Sequence, residues 1–129
     1  MLQLPHGNAI CYSGYREGQD PNRKLYPSVA QIREDLHILR RHWQLLRLYD
    51  SSVHAERVLQ VIRDDALPLK VMLGAWVNAN PVDTDKEVEL LIAAANANPD
   101  VVSSVIVGNE ALLRKEVTGE RLAELINRV

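Results

Sequence analysis

The sequence predicts an α/β fold, half of a (β/α)8 TIM barrel, in which four parallel strands alternate with four helices on the outer face. Short apolar segments at 9–12, 45–49, 70–76 and 101–107 each precede a helical pattern. The segments are spaced by about 25 to 35 residues, the length of a right-handed parallel crossover. A complete barrel needs about 250 residues, and this chain has 129. Four units in that length therefore favour a half barrel.

Capping residues mark the first two helices. Ser28 and Gln31 form a capping box that begins the first helix, whose apolar stripe is expected to include Trp43 as a core residue. The second helix is expected to follow Ser51 and Ser52. It should stop before Pro68, because the residue preceding a proline is pushed out of the helical region.

The third and fourth helices are predicted in the same way. A second capping box, Thr84 to Glu87, is expected to begin the third helix. The fourth carries an apolar stripe at Leu122, Leu125 and Ile126. A doubly wound nucleotide-binding fold is disfavoured, since the first loop has neither the GxGxxG nor the GxxxxGK[ST] spacing.

Composition excludes several classes of partner. With 15 basic and 17 acidic residues, a net charge of −2 and no run of about 20 apolar residues, neither nucleic acid nor a membrane is an expected partner. Cys11 cannot form an internal disulfide and is expected to pack as a small apolar group. The histidines show no metal-ligand spacing, so no metal or cofactor is expected. Residues 1–8 are expected to be flexible and residues 9–129 to form the half barrel; the compartment is left open, with no signal peptide recognised.

Candidate site residues come from the strand exits, because barrel enzymes place their reacting groups at the carboxyl ends of the strands. Aromatic rings at Tyr12, Tyr49 and Trp76 follow three of the strands. The carboxylates of Asp50 and Glu110 follow the second and fourth. Aromatic planes pack on sugar C–H faces, while carboxylates bind hydroxyls and assist glycosidic cleavage. The composition therefore indicates a carbohydrate site.

The segments ICYSGYREGQ, LLRLYD, KVMLGAW and VSSVIVGNEALLR resemble the amino-terminal half of glycoside hydrolase family 17, the β-1,3-glucanase and glucan transglycosylase family, in its bacterial branch. The resemblance covers about residues 9–129. It implies that Glu110 is the general acid/base and that Asn109 holds the 2-hydroxyl of the sugar. Tyr12 and Asp50 would line the site, and Glu17 would contact a subsite.

Several of these residues also have structural interpretations. Asp50 could cap the second helix, Trp76 could be barrel core, and Glu17 could belong to an ordinary solvated loop. Arg47 is expected to form a buried pair with an acidic neighbour, because an unpaired charge within an apolar strand is costly. As a general acid, Glu110 should lie among apolar walls or beside another carboxylate.

The resemblance places the nucleophilic glutamate at the seventh strand, which this sequence does not reach, so the chain alone is expected to be inactive. An open half barrel leaves roughly 12 to 24 kcal/mol of interior burial unrealised, against a typical domain stability of about 5 to 15 kcal/mol. Self-association or a missing carboxyl-terminal half barrel is therefore expected, with β-glucan as the ligand. The alternative function is a non-catalytic half barrel that binds sugar or only self-associates.

Overall fold

The structure is a computed structural model that describes residues 7–129. A three-residue 3-10 helix, Pro21–Arg23, interrupts the first loop. Strands and helices alternate in the order β1 (Ala9–Cys11), α1 (Val29–Leu39), β2 (Leu45–Arg47), α2 (Val53–Asp64), β3 (Lys70–Ala75), α3 (Pro81–Ala97), β4 (Val102–Val107) and α4 (Gly119–Arg128).

The four strands form one parallel sheet in the order β1-β2-β3-β4. Strand order follows chain order, as the right-handed crossovers of a barrel require. The predicted (β/α)4 half barrel is therefore confirmed. Of the segment expected to be flexible, residues 1–6 lie outside the described residues.

The two faces of the sheet differ in burial. Leu46 pairs with Val71, and both are fully buried on the face that carries the helices. The next positions along the strands, Cys11, Arg47 and Met72, pair with one another and point to the opposite face, since side chains alternate along a strand. Cys11 is exposed, so the prediction that it packs as an apolar group is wrong. No helix of the described chain covers this open face.

The core lies between the sheet and the helices. Each helix contributes aliphatic side chains to it, because its apolar stripe faces the buried side of the strands. The largest side chains of this cluster with no exposed surface are Ile32, Leu36, Leu46, Leu73, Leu91 and Leu125.

The start of α1 confirms the predicted capping box, but its end does not. Ser28 Oγ accepts from the Gln31 amide, and the Gln31 side chain accepts from the Ser28 amide. The helix ends at Leu39, and Trp43 is half-buried beyond it, so its assignment to the helical core stripe is wrong. The Gln44 amide donates to the backbone oxygen of Asn8 at 2.9 Å, which requires an extended chain immediately after Trp43.

The predicted capping box of α3 is also wrong. The helix begins one turn earlier, with Asn80 as its cap and Pro81 in the first turn, where its fixed φ favours a helix. Thr84 lies inside the helix and is buried. Its hydroxyl accepts from the Asn78 amide and donates to the Asn78 carbonyl. Glu87 is consequently free of a capping role.

The remaining helix starts follow local side-chain chemistry. Thr118 caps α4 by accepting from the Arg121 amide at 3.2 Å. Ser52 precedes α2, as predicted, without a side-chain capping bond. Among residues 7–129, no helix combines the length and apolar character needed to cross a membrane.

Candidate active site

The exits of β2 and β3 lie in close contact. Gly74 allows this approach, because a Cβ there would lie 2.6 Å from the backbone oxygen of Leu48 and 2.9 Å from that of Tyr49. The hydroxyl of Ser51 donates to the Gly74 carbonyl at 2.7 Å. The two strand ends therefore form one edge, from which Tyr49, Asp50 and Trp76 follow.

Glu87 of α3 binds backbone amides that follow both strands. Its Oε2 accepts from the Ser51 amide at 3.1 Å and from the Trp76 amide at 3.3 Å. Burial raises the pKa of Glu87, and the neighbouring charge of Asp50 raises it further. Glu87 was expected to cap a helix, so its contact with the strand exits was not predicted.

A cavity of about 570 Å³ opens at the carboxyl ends of β1, β2 and β3. Tyr49, Asp50 and Trp76 line it, as the sequence predicts for a shared mouth. The further lining residues are Ser13, Tyr15, Pro21, Asn22, Tyr26, Ser52, Asn78 and Glu87. Aromatic rings and hydrogen-bonding groups thus surround one space.

Two polar atoms at this cavity have no partner. Tyr15 Oη and Asp50 Oδ1 are buried, and neither forms a hydrogen bond within the described chain. Burial, and then the charge of Asp50, raise the pKa of Tyr15, so its hydroxyl remains a donor at neutral pH. A buried polar group without a partner is costly.

A larger cavity, of about 720 Å³, adjoins the first and shares the lining residues Pro21, Tyr26, Ser52 and Glu87. It separates α2 from α3 and is lined mainly by helix side chains such as Leu59, Arg63 and Leu90. Chemistry in this class of fold belongs to the strand exits. The smaller cavity, with its aromatic and acidic lining, is therefore the candidate site.

One face of Trp76 is already covered. The guanidinium carbon of Arg114 lies 4.3 Å from the ring centroid, and its Nη2 donates to the Val77 carbonyl at 3.2 Å. Arg114 belongs to the loop after β4, and the sequence analysis did not single it out. A sugar that stacks on Trp76 must use the opposite ring face.

Arg47 joins the second strand to the fourth strand exit. Its Nη2 donates to Asn109 Oδ1 at 2.7 Å, and its guanidinium carbon lies 4.8 Å from the Tyr49 ring centroid. The expected acidic partner is thus wrong; an amide oxygen takes its place. The bond fixes the Asn109 side chain, so that its NH2 group remains for a ligand.

Glu110 stands at the end of β4 in a left-handed conformation with φ of 53°. Gly108, at φ of 82°, turns the chain just before it, and the Arg114 amide donates to the Glu110 carbonyl at 2.9 Å. A non-glycine residue in this region costs of order 1 to 3 kcal/mol and is often found at functional sites. The Glu110 side chain is exposed.

Glu110 does not line the cavity at the first three strand exits. It borders a depression of about 220 Å³ with Ala111, Leu112 and Leu113. Its charge nevertheless acts on Tyr49, which lines the candidate cavity: the Cys11 thiol and burial chiefly raise the pKa of Tyr49, and repulsion from Glu110 adds to them.

Tyr12 and Glu17 lie away from this cavity. Tyr12 is buried against the helices, where its hydroxyl donates to Asp35 Oδ2 at 2.9 Å. It follows the exposed Cys11, and alternation along the strand turns it to the opposite face. Glu17 is exposed at a separate depression of about 420 Å³, beside Arg57.

Within the described chain, no group of three or more His, Cys, Asp or Glu side chains is arranged to hold a metal ion. The polar groups at the cavity are tyrosine and serine hydroxyls, asparagine amides and the carboxylates of Asp50 and Glu87. Such a set is suited to binding ligand hydroxyls.

A parallel strand–helix repeat with an aromatic and acidic cleft at its strand exits is the architecture of half a glycoside hydrolase barrel. The chain belongs to the BtgE/BtgC glycoside hydrolase domain family, whose model matches residues 9–129. The resemblance to glycoside hydrolase family 17 is confirmed; the assignment to its bacterial branch stays a prediction.

Curated relatives and solved structures agree with this family. The chain is 35% identical over 92 residues to "Putative glucan endo-1,3-beta-glucosidase btgC" of Aspergillus niger, and the match covers 68% of the chain and 14% of that relative. It is 29% identical over 100 residues to "Glucan 1,3-beta-glucosidase" of Arthroderma benhamiae, covering 78% and 32%. An active-site mutant of the Rhizomucor miehei β-1,3-glucanosyltransferase, solved with laminaritriose, has a TM-score of 0.72 and 26% identity. That match covers 94% of this chain and 43% of the solved one.

Proposed function

We propose that this chain is the amino-terminal half of the catalytic barrel of a retaining β-1,3-glucan hydrolase or transglycosylase. Glu110 is its general acid/base and Asn109 its ligand for the sugar 2-hydroxyl. The observation that carries the proposal is the bond from Arg47 to Asn109, which ties the Asn-Glu pair to the strand exit that bears Tyr49 and Asp50.

The cavity at the strand exits accounts for sugar binding. Asp50 Oδ1 accepts from a glucose hydroxyl, and Tyr15 Oη exchanges a hydrogen bond with a neighbouring one, since both atoms lack protein partners. The uncovered face of Trp76 packs on pyranose C–H groups. Tyr49 lines the same cavity and adds a second aromatic face for the sugar.

The reaction uses Glu110 twice. Its carboxyl group first donates a proton to the leaving glycosidic oxygen, and the carboxylate then takes a proton from water or from an acceptor hydroxyl. Retention requires a second carboxylate about 5 to 5.5 Å away as nucleophile. The family resemblance places it at a seventh strand, while the match to the glucanosyltransferase spans 43% of that chain. The other half barrel would also supply the apolar walls around the exposed Glu110.

Titration calorimetry with laminaritriose tests the binding half. Asp50→Asn and Tyr15→Phe are each expected to weaken binding by about tenfold, the effect of one lost hydrogen bond. Glu124→Gln, an exposed change on α4, is the matched control and should bind as the unaltered chain does. Absence of heat at millimolar laminaritriose, or equal affinities in all variants, would contradict the proposal.

The open face supports a second candidate, a half barrel that binds or self-associates without chemistry. Cys11 is exposed there, and Val105, which pairs with Leu73 on the helix side of the sheet, is 38% exposed on the edge strand β4. In the loop after β4, Leu112 and Leu113 are 50% and 76% exposed. Sedimentation velocity distinguishes the two states: a dimer that forms at micromolar concentration and fails to bind laminaritriose would favour the second candidate.

A further inference from the structure

His54 lies directly beneath the first loop of the cleft, in the first turn of α2. Its side chain is buried, with 3% of the residue exposed. The Nε2 atom accepts the backbone N–H of Gly14 at 3.1 Å, across 40 residues of sequence. Only a neutral imidazole accepts at this atom, because the imidazolium ion is a donor at both nitrogens.

Two tyrosine rings pack against the His54 imidazole. Tyr12 and Tyr15 each lie with ring centroids 5.4 Å from that of His54, with Tyr15 stacked at 23°. Gly14 sits between the two tyrosines in sequence. A Cβ at this position would lie 2.2 Å from Tyr12 Oη, so the loop fits closely only with glycine there.

The residues on either side of Gly14 belong to the cleft. Ser13 and Tyr15 both line the cavity, and Tyr15 Oη is one of its two unpartnered buried atoms. The hydrogen bond to His54 therefore anchors the loop at Gly14, between two residues that line the cavity.

We propose that His54 is a positioning residue: its neutral imidazole holds Gly14, sets Ser13 and Tyr15 against the glucan, and releases them when it takes up a proton. The proposal rests on the proposed function, because it takes a β-glucan as the ligand. It adds an acid-sensitive element outside the cleft itself.

Charged and titratable groups face His54 from each neighbouring element. Asp35 approaches from α1, Asp50 from the exit of β2 and Arg57 from α2, beside the hydroxyls of Tyr12 and Tyr15. Burial is the largest influence and lowers the pKa of His54, while the two aspartates oppose it. The imidazole is thus neutral at pH 7 and takes up a proton only below its usual pKa of about 6.5.

Nuclear magnetic resonance of the sugar-free chain tests the positioning step. The Gly14 amide shift should follow the His54 titration in acid. In His54→Gln, whose amide oxygen accepts without titrating, the shift should stay near its native value at every pH. In His54→Leu it should move at every pH. A Gly14 amide that responds neither to pH nor to His54→Leu would overturn the proposal; if the leucine variant fails to fold, the pH response of the unaltered chain against His54→Gln decides alone.

Laminaritriose titration tests the consequence for binding. Between pH 7 and full protonation of His54, affinity should fall about tenfold more in the unaltered chain than in His54→Gln, as for one lost hydrogen bond. His54→Gln also controls for every other titrating group. Equal pH profiles would overturn the proposal. If the unaltered chain binds no sugar at pH 7, the proposed function fails together with the binding consequence, and the Gly14 amide still decides the positioning step.

Discussion

Arg47 donates to the amide oxygen of Asn109 at 2.7 Å and so links two strand exits that are 62 residues apart in sequence. The bond lies on the face of the sheet opposite the helices, where Arg47 also packs against Tyr49. A charged donor to a neutral acceptor is stronger than a bond between two neutral groups. The pair therefore orients the residue that precedes Glu110.

A double-mutant cycle measures this link. Arg47→Met and Asn109→Ala are each expected to lower the free energy of unfolding, with a coupling of about 1 to 2 kcal/mol between them. Urea denaturation of the four proteins gives the coupling directly. Changes that simply add would show that the two side chains act independently.

Gly74 should tolerate no side chain. Gly74→Ala would place a Cβ 2.6 Å from the Leu48 carbonyl oxygen and push β2 and β3 apart, at a cost of about 1 to 3 kcal/mol in unfolding free energy. Gly119→Ala is the matched control, since its Cβ would meet nothing within 4 Å. Thermal denaturation compares them. Equal melting temperatures for the two variants would contradict the close approach of the strands.

The core prediction contrasts two leucines. Leu73 has no exposed surface, whereas Leu113 is 76% exposed. Leu73→Ala is expected to lower the unfolding free energy by about 2 to 5 kcal/mol through lost burial and a cavity. Leu113→Ala should change it by less than about 0.5 kcal/mol. Urea denaturation measures both, and a large effect at Leu113 would indicate that this side chain is buried in an assembly.

Asp65 should contribute to acid unfolding. His37 and Arg33 hold the pKa of its carboxyl below the ordinary value. A lowered pKa stabilises the fold above the unfolded-state pKa of about 3.9 and loses that effect as the pH falls through the native pKa. Asp65→Asn should therefore be less stable than the unaltered chain at pH 7 and should converge with it near pH 2. Urea denaturation across this range, with exposed Asp100→Asn as control, measures the difference; a constant difference would contradict the assignment.

Laminarin hydrolysis by the 129-residue chain is expected to be negligible. Glu110 has an exposed side chain, and the nucleophile is proposed to come from the other half barrel. A reducing-sugar assay measures turnover. Activity that Glu110→Gln abolishes would contradict this division of the carboxylate pair between the two halves.

Periodic patterns predicted the sheet and the four helices, and the strand-exit rule for barrels suggested a shared mouth for Tyr49, Asp50 and Trp76. These features depend on local spacing, which a sequence displays directly. The starting turn of α3 was missed because two capping signals compete there, and Asn80 with Pro81 prevails over Thr84. Tyr12 was expected at the site from its strand exit and from the family resemblance. A strand of only three residues, β1, gives too little alternation to show that this side chain turns toward the helices.

Other features depend on contacts between distant residues. Glu87 binds the Ser51 amide 36 positions away, and the Gly14 amide meets His54 across 40. Such hydrogen bonds form only when the chain folds, and no spacing pattern in the sequence identifies their partners. These two contacts therefore became visible only in the structure.

A crystal structure of the chain with laminaritriose tests the central claim most directly. The account predicts a glucose ring between Asp50 and Asn109, with a glycosidic oxygen within about 3 Å of the Glu110 carboxyl group, the distance of a hydrogen bond. Sugar bound instead in the groove between α2 and α3, with Glu110 in contact with solvent alone, would contradict it.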